Sequence, residues 1–284
     1  YLTRDEKLRI LREAVDHDPE WATLSQDEYG DWLDQRDDSY LGFIPMGVQK
    51  GVRKLPTGLF STWSAGVKTQ RDAWAYNFSK PELTANMKKT ITFFNTELKT
   101  YQEAAEKQLP RHIVKQDESS ISWSEFLYSR IKRNRKINFS NDHVSTMSYR
   151  PFCKTNGWFD TQINDRPGLQ PQLFPYRGAK NLEICVSNGY ALITRNVPDV
   201  HFDGDPQCFP LYWYEEAKPS DVPIAYDTLF GDDQGALVFD KGNSGEQYVR
   251  HDAITDTGLK AFRETYPEIP GITKEDIFYY VYGI

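Results

Sequence analysis

Residues 79–108 have the sequence SKPELTANMKKTITFFNTELKTYQEAAEKQ, and this stretch sets the helical half of the fold. Ser79 is a favoured N-cap residue, and Pro81 falls in the first turn, where its missing backbone N–H costs nothing. Apolar residues recur at spacings of four and three, the period of one helix face: Leu83, Met87, Ile91, Phe94, Leu98, Tyr101 and Ala105. The sequence therefore predicts a long amphipathic helix that ends near Gln108.

Other segments begin with a Ser or Thr followed three residues later by an acidic residue, the pattern of a capping box. Each such pattern predicts the start of a helix. These patterns predict three short helices: one from Thr3 to about Asp16, one that opens at Ser122–Glu125 and ends in the run 130–136, and one at Thr273–Tyr282. A further closing helix is predicted at Thr255–Tyr266.

Strand patterns are concentrated between these helices. Asn188-Gly189 joins the apolar segments 182–187 and 190–194, and this dipeptide between such segments favours a hairpin. Residues 235–240 predict a further strand. Because helices and antiparallel strands occur in separate runs, we expect an α+β fold. It has a helical N-terminal part, a strand-rich part, and short closing helices, with a soft boundary near residues 110–120.

Charge is distributed unevenly along the chain. Residues 41–198 hold 23 Lys and Arg against 12 Asp and Glu, a balance of +11 within a total of −7. A basic middle between acidic ends favours an anionic partner, unless folding mixes the blocks. Three widely spaced cysteines and the absence of an apolar run of about 20 residues predict a cytoplasmic protein with no disulfide framework and no membrane span.

A basic run lies at the end of the helix that follows Glu125. It contains Arg130, Lys132, Arg133, Arg135 and Lys136. Cations at a helix C-terminus complement the helix dipole. Five of them exceed what one helix end requires, so we predict contacts to DNA phosphates.

A second cluster, in the sequence GVKTQRD from Gly66 to Asp72, combines cations, an amide and a hydroxyl. Lys68 and Thr69 are candidates for phosphate contacts. Gln70, Arg71 and Asn77 are candidates for base contacts, since Arg pairs with guanine and Gln or Asn with adenine. The alternative is a structural Arg71–Asp72 pair beside core aromatics.

Catalytic motifs are sparse. Asp199, Glu216 and Lys218 fit the spacing of a PD-x-E-x-K nuclease, in which two carboxylates hold Mg²⁺. The pattern is short, and chance is the favoured explanation. The sequence around His201 is interpreted as a solvated turn rather than a metal site. The sequence contains no phosphate-binding loop, nucleophile elbow or methyltransferase Asn/Asp-Pro-Pro-Tyr motif, so we expect no catalysis, cofactor or metal in this chain.

Several segments together, in their order along the chain, resemble the C-terminal specificity region of type ISP restriction–modification enzymes. The segments are Trp63–Phe78, Ser148–Lys154, Gln207–Tyr212, Ile254–Asp256 and Ile272–Gly283. In that family one polypeptide joins a nuclease, an ATP-driven translocase, an N6-adenine methyltransferase and a target-recognition domain.

The resemblance implies that this chain reads double-stranded DNA for other domains that methylate or cleave it. Residues 1–40 would then be a connector from the methyltransferase, and residues 41–284 the recognition domain. S-adenosylmethionine, ATP and Mg²⁺ would serve the parent polypeptide, whose methyltransferase and coupler domains would be further partners. The chain begins at Tyr1 without an initiator Met, and we expect it to be part of a longer protein. The alternatives are a Mg²⁺-dependent nuclease module and a purely structural docking domain.

Overall fold

A computed structural model describes residues 3–14, 23–26, 32, 42–47, 58–105, 108–187, 189–217, 238–241 and 247–284. The chain forms two compact units, residues 1–44 and 45–284. In the first unit, α1 (Arg4–Glu13) begins with the predicted capping box. Thr3 N–H donates to the Glu6 carboxylate at 2.7 Å, and Thr3 Oγ1 accepts from Glu6 N–H. The predicted continuation to Asp16 lies outside the described residues.

The second unit contains all the other described elements. Its helices are α2 (Asp72–Ala75), α3 (Lys80–Glu103), α4 (Pro110–Ile113), α5 (Glu125–Lys132), α6 (Gln170–Leu173), α7 (Asp256–Thr265) and α8 (Lys274–Gly283). Its strands are β1 (Ser64–Ala65), β2 (Tyr76–Asn77), β3 (Val144–Arg150), β4 (Cys153–Trp158), β5 (Glu183–Ser187), β6 (Tyr190–Thr194), β7 (Val197–Pro198), β8 (Gln207–Pro210), β9 (Tyr212–Glu216), β10 (Val238–Lys241) and β11 (Gln247–Asp252). The α+β class, with helices first and last, is confirmed.

The strands form three sheets, with the orders β1-β8-β5-β6, β2-β4-β3-β7 and β10-β11-β9. The pairing between β3 and β7 is parallel, and the other pairings within these sheets are antiparallel. The predicted hairpin is confirmed as β5–β6, with Glu183 opposite Thr194. The strand predicted at 235–240 corresponds to β10, and its first three residues lie outside the described part of the chain.

The long helix forms as the apolar stripe predicts, with Ser79 as its N-cap. Its buried face packs on α5 and Trp158 to make the helical core. The helix ends at Glu103, five residues before the predicted end, and Ala104 is extended. Ala105 is exposed. The predicted last turn would therefore cover no part of the core. Because tertiary packing supplies most of a helix's stability, the helix ends before this turn.

The start of α5 corrects one prediction. Ser124, not Ser122, is the N-cap, and its Oγ accepts from the backbone N–H of Leu127. The same Oγ also donates to Asp165 and accepts from Arg71. Both Ser122 and Ser124 suit a cap locally, and these tertiary partners select Ser124.

Two further cores support the sheets. One packs the β5 and β8 residues Ile184 and Phe209 against Ile277 and Phe278 of α8. The other lies under β3 and β7 and includes Met147 and Val197.

No helix in the described ranges is long and apolar enough to cross a membrane. The assignment of residues 1–40 as a connector and of residues 41–284 as the recognition domain stays a prediction, as does the soft boundary near residues 110–120.

Candidate nucleic-acid interface

Arg71 lies inside the protein, with 1% of its surface exposed. Its guanidinium donates to the carbonyls of Thr69 and Ile163 at 2.6 and 2.7 Å, to Asp165 at 2.8 Å and to Ser124 at 2.6 Å. Burial away from water lowers the pKa of Arg71. The side chain joins three segments that are distant in sequence, so its function is structural. We do not retain it as a base contact.

One neighbouring prediction, the phosphate contact at Thr69, is corrected in the same way. Thr69 is buried; its Oγ1 donates to Asp72 and accepts from Arg71 N–H. It is therefore not available to a phosphate. Asn77 Oδ1 accepts from Ser79 N–H at 2.8 Å, immediately before α3. This amide oxygen stabilises the start of the helix, and the predicted base contact of Asn77 stays a prediction.

The remaining candidates in the segment from Gly66 to Asp72 lie at the surface. Gln70 is exposed and has a positive φ of 58°. Lys68 is half-buried, and its backbone forms an antiparallel bridge with that of Arg166, whose side chain is exposed. Residues directly opposite in such a bridge have neighbouring side chains. Lys68 and Arg166 therefore place two cations together.

The basic run at the end of α5 has a fixed backbone. Asn134 is left-handed, with φ 52°, and donates its N–H to Ile131 O at 3.0 Å. Arg135 N–H donates to Arg130 O at 2.9 Å. These two hydrogen bonds define a Schellman motif. The Arg130 guanidinium closes the turn by donating to Lys136 O at 2.9 Å.

The turn presents its remaining cations to solvent. Ile131 and Ile137, each 1% exposed, anchor its two ends in the helical core. Arg130 is half-buried, and desolvation lowers its pKa. The exposed cations of this basic turn are Lys132, Arg133, Arg135 and Lys136. They are spaced by a rigid backbone, as a row of phosphate contacts would require.

Asp199, which follows β7, is buried and accepts hydrogen bonds at both carboxylate oxygens. Oδ2 accepts from Tyr76 OH at 2.8 Å, and Oδ1 accepts from Arg150 and from His201 N–H, both at 2.9 Å. The Tyr149 ring lies 4.6 Å from that of Tyr76 and 3.9 Å from the Arg150 guanidinium carbon. Burial raises the pKa of Asp199. Asp199 therefore positions the end of β3.

These contacts do not support the nuclease alternative. Asp199 follows β7 in one sheet, whereas Glu216 is an exposed residue of β9 in another, and Lys218 lies outside the described residues. Ligand atoms of Asp72, Asp199 and His201 lie within 4.8 Å of one another. However, the Arg150 guanidinium already supplies positive charge to Asp199. Residues 201–205 form turns, as the sequence predicts.

A cleft of about 580 Å³, here called the polar cleft, opens beside β3. Its lining includes the exposed side chains of Arg177 and Arg195, together with Asn196, Gln162 and Thr146. Arginine, asparagine and glutamine are the residue types that form paired hydrogen bonds with the edges of bases, and threonine contacts both base edges and the thymine methyl group. The cleft therefore has the chemistry needed to distinguish base pairs.

The polar cleft is continuous with two neighbouring surfaces. On one side, Asn138 N–H, two residues after the basic turn, donates to Gln162 Oε1 at 3.0 Å. On the other side, Arg195 and Asn196 also line a cavity of about 260 Å³ beside the β3–β4 turn. That cavity includes Lys154 in its lining. One hydrogen bond and shared lining residues therefore connect the basic turn, the polar cleft and the β3–β4 hairpin.

Sequence reasoning missed the cleft residues. Arg177 and Arg195 are isolated cations in the sequence, and neither belongs to a basic run. The sequence offers one indication of a binding site here. The polar pair Arg195-Asn196 directly follows the predicted strand 190–194. They line one cleft with Gln162 only because folding brings together the segments that follow β4, α6 and β6.

An α+β module with exposed cations beside a cleft lined by arginine and amide side chains has the groups that bind phosphates and base edges, so its chemistry is that of a nucleic-acid recognition module. The family model of the Type ISP C-terminal specificity domain matches residues 58–284, and the chain belongs to this family. The comparison with curated proteins gave no match.

Three solved structures share the fold of this chain. A nuclease-deletion mutant of the Type ISP restriction–modification enzyme LlaGI, in complex with a DNA substrate mimic, is 28% identical over 94% of this chain, with a TM-score of 0.65. The ATP-dependent Type ISP enzyme LlaBIII bound to DNA is 27% identical over 99% of the chain, with a TM-score of 0.69. In a DrdV–DNA complex the fold alone is shared, at 23% identity over 98% of the chain and a TM-score of 0.72. The chain spans 19%, 17% and 25% of these three proteins, respectively.

Proposed function

We propose that this chain recognises a specific sequence in double-stranded DNA as the specificity domain of a larger restriction–modification enzyme. The observation that carries the proposal is the connection of the exposed basic turn, the polar cleft and the β3–β4 hairpin through one hydrogen bond and shared lining residues. Family membership supports it, as do two Type ISP enzymes of the same fold whose structures contain DNA or a DNA substrate mimic.

The residues divide into two roles. The exposed cations of the basic turn, with Lys68 and Arg166, are suited to phosphates, which position a protein on DNA without reading sequence. Arg177, Arg195, Asn196 and Gln162 are suited to base edges in the polar cleft. The predicted base contact Gln70 stays a proposal beside Lys68.

The chain itself would carry no catalytic step. Methylation and cleavage would be performed by other domains of the parent polypeptide, which would bind S-adenosylmethionine, ATP and Mg²⁺. Its methyltransferase and coupler domains would be the intramolecular partners. Such a protein would act on DNA in the cytoplasm.

Selection of bound duplexes from a random library by the full-length polypeptide would identify the target.

The salt dependence of binding then tests whether the basic turn contacts phosphates. Each phosphate contact contributes about 0.9 to the slope of log affinity against log salt. We therefore expect Arg133→Ala with Arg135→Ala to reduce the slope by about 1.8. Between about 50 and 200 mM salt, this makes the loss of affinity roughly tenfold smaller than in the wild type.

Two comparisons make the test specific. Lys260→Ala, at an exposed position on α7, should leave the slope unchanged. Arg195→Ala should weaken binding to the target much more than to unrelated DNA, because base contacts specify whereas phosphate contacts do not. A wild-type protein that selects no sequence would contradict the proposed function. An unchanged slope in the double variant would remove the basic turn from the interface.

A further inference from the structure

The β3–β4 hairpin ends in an unusual residue. Arg150 pairs with Cys153, so the loop consists of Pro151 and Phe152. Phe152 has a φ of +60° and is 96% exposed. A proline followed by a residue of positive φ is the pattern of a type II turn, in which the second position favours glycine. Here a large aromatic ring occupies that position and makes almost no contact with its own protein.

This arrangement has two costs for the folded protein. A left-handed conformation is unfavourable for a bulky residue, and an exposed aromatic ring gains nothing from burial. Backbone strain of this kind persists where the surrounding structure imposes it, and it concentrates at functional sites. Phe152 is therefore a candidate functional residue, and the groups around it indicate which kind of ligand it binds.

The base of the hairpin is held rigidly. Arg150 is bonded to the buried Asp199, and its guanidinium stacks on Tyr149, which packs on Tyr76. Lys154 is exposed on the next strand, and Arg195 lines the same cavity as Phe152. An exposed apolar ring with cations beside it, on a rigid support, matches a side chain that enters stacked bases while its neighbours hold phosphates.

We propose that Phe152 is a wedge that inserts between neighbouring bases of the bound duplex. The inference rests on the proposed DNA-recognition function and adds a residue whose contribution is stacking rather than charge. Proteins that insert apolar side chains in this way unstack one base step and bend the duplex, which brings more of the protein surface onto DNA. Unstacking of the target by the recognition domain would also ease removal of a base for modification.

The first test measures affinity and stacking with the full-length polypeptide and its selected target. Phe152→Ala should weaken binding about 5- to 160-fold, which corresponds to the roughly 1–3 kcal/mol lost with one base–aromatic stack. The salt slope should stay unchanged, because no cation is removed. Duplexes with 2-aminopurine at successive positions should show a fluorescence rise at one step with the wild type, and no rise with the variant.

Two controls separate this function from a structural one. Tyr190→Ala removes another exposed ring, 71% exposed, beside the β5–β6 turn; it should leave affinity and fluorescence unchanged. Phe152→Gly relieves the positive φ, so it should bind as weakly as Phe152→Ala without lowering the thermal midpoint.

Cys153 provides a direct measure of proximity. Cys185 and Cys208 are buried, whereas Cys153 is half-buried and adjacent to Phe152. A duplex with a disulfide-activated tether at the unstacked step should therefore crosslink to Cys153, and a tether elsewhere should not.

The outcomes distinguish the inference from the proposed function. Wild-type protein that binds its target, with equal affinity and equal 2-aminopurine fluorescence for Phe152→Ala, would overturn the wedge and leave DNA recognition intact. A crosslink without any effect of Phe152→Ala would place the hairpin near DNA and equally overturn the wedge. Failure of the wild type to select any DNA would instead contradict the proposed function.

Discussion

Replacement of Glu183 by Gln should change how stability depends on pH. Glu183 lies on β5, between β8 and β6, and is fully buried. Its Oε2 accepts one hydrogen bond, from Gln170 Nε2 at 3.2 Å. Burial raises the pKa of Glu183 from an ordinary 4.5 to about 8. At neutral pH the folded protein therefore keeps a proton that the unfolded chain has released.

The sign and size of the effect follow from this difference. Because the folded state binds more protons than the unfolded state above pH 4.5, the free energy of unfolding falls as pH rises, until the folded-state pKa near 8 is passed. Each pH unit in that window costs about 1.4 kcal/mol, so the whole window amounts to on the order of 5 kcal/mol. Glu183→Gln has no proton to lose and should not show this decline.

Urea unfolding followed by tryptophan fluorescence at pH values from about 5 to 9 would measure it. The difference between wild type and Glu183→Gln isolates this group, since other titrating residues are common to both. Glu216→Gln, at an exposed position on β9, is the matched control and should run parallel to the wild type. Parallel curves for wild type and Glu183→Gln would refute the reasoning.

Two further substitutions test the internal network beneath the proposed interface. Arg71→Ala removes the guanidinium that pairs with Asp165, which keeps its hydrogen bond from Ser124, and leaves two backbone carbonyls without this donor, so we expect a loss of about 3–5 kcal/mol in the free energy of unfolding. Arg133→Ala, at an exposed position, should cost less than about 0.5 kcal/mol. A small effect of Arg71→Ala in urea unfolding would contradict the structural role. Ser124→Ala removes a helix cap and should cost about 1–2 kcal/mol. Ser122→Ala should stay within about 0.5 kcal/mol, and equal losses for the two serine variants would contradict the position of the cap.

Much of the fold was predictable because it depends on neighbours in the sequence. The stripe of α3, the capping boxes of α1 and α8, and the β5–β6 hairpin each arise from contacts within a few residues. Local backbone geometry imposes these periods whatever surrounds the segment. The exceptions lie at boundaries, where the end of α3 and the cap of α5 depend on tertiary packing.

The candidate site was predictable only in part. The sequence places the five cations of the basic turn close together, and the structure leaves four of them exposed; their contact with phosphates stays a prediction. Arg71 and Asp199 resemble functional residues equally well, yet both are buried. Whether a charged side chain reaches solvent depends on the partners that folding brings to it, and those partners are not its sequence neighbours.

The amino-acid sequence by itself determined the helices, the hairpin, the basic middle and the resemblance to the specificity family, since these depend on composition, period and ordered motifs. Only the tertiary structure decided which charges face outward. It buried Arg71 against Ser124, Ile163 and Asp165, and it assembled the polar cleft from residues between 140 and 197. The physical reason is that hydrogen-bond satisfaction and exposure depend on contacts between segments distant along the chain, which no local pattern specifies.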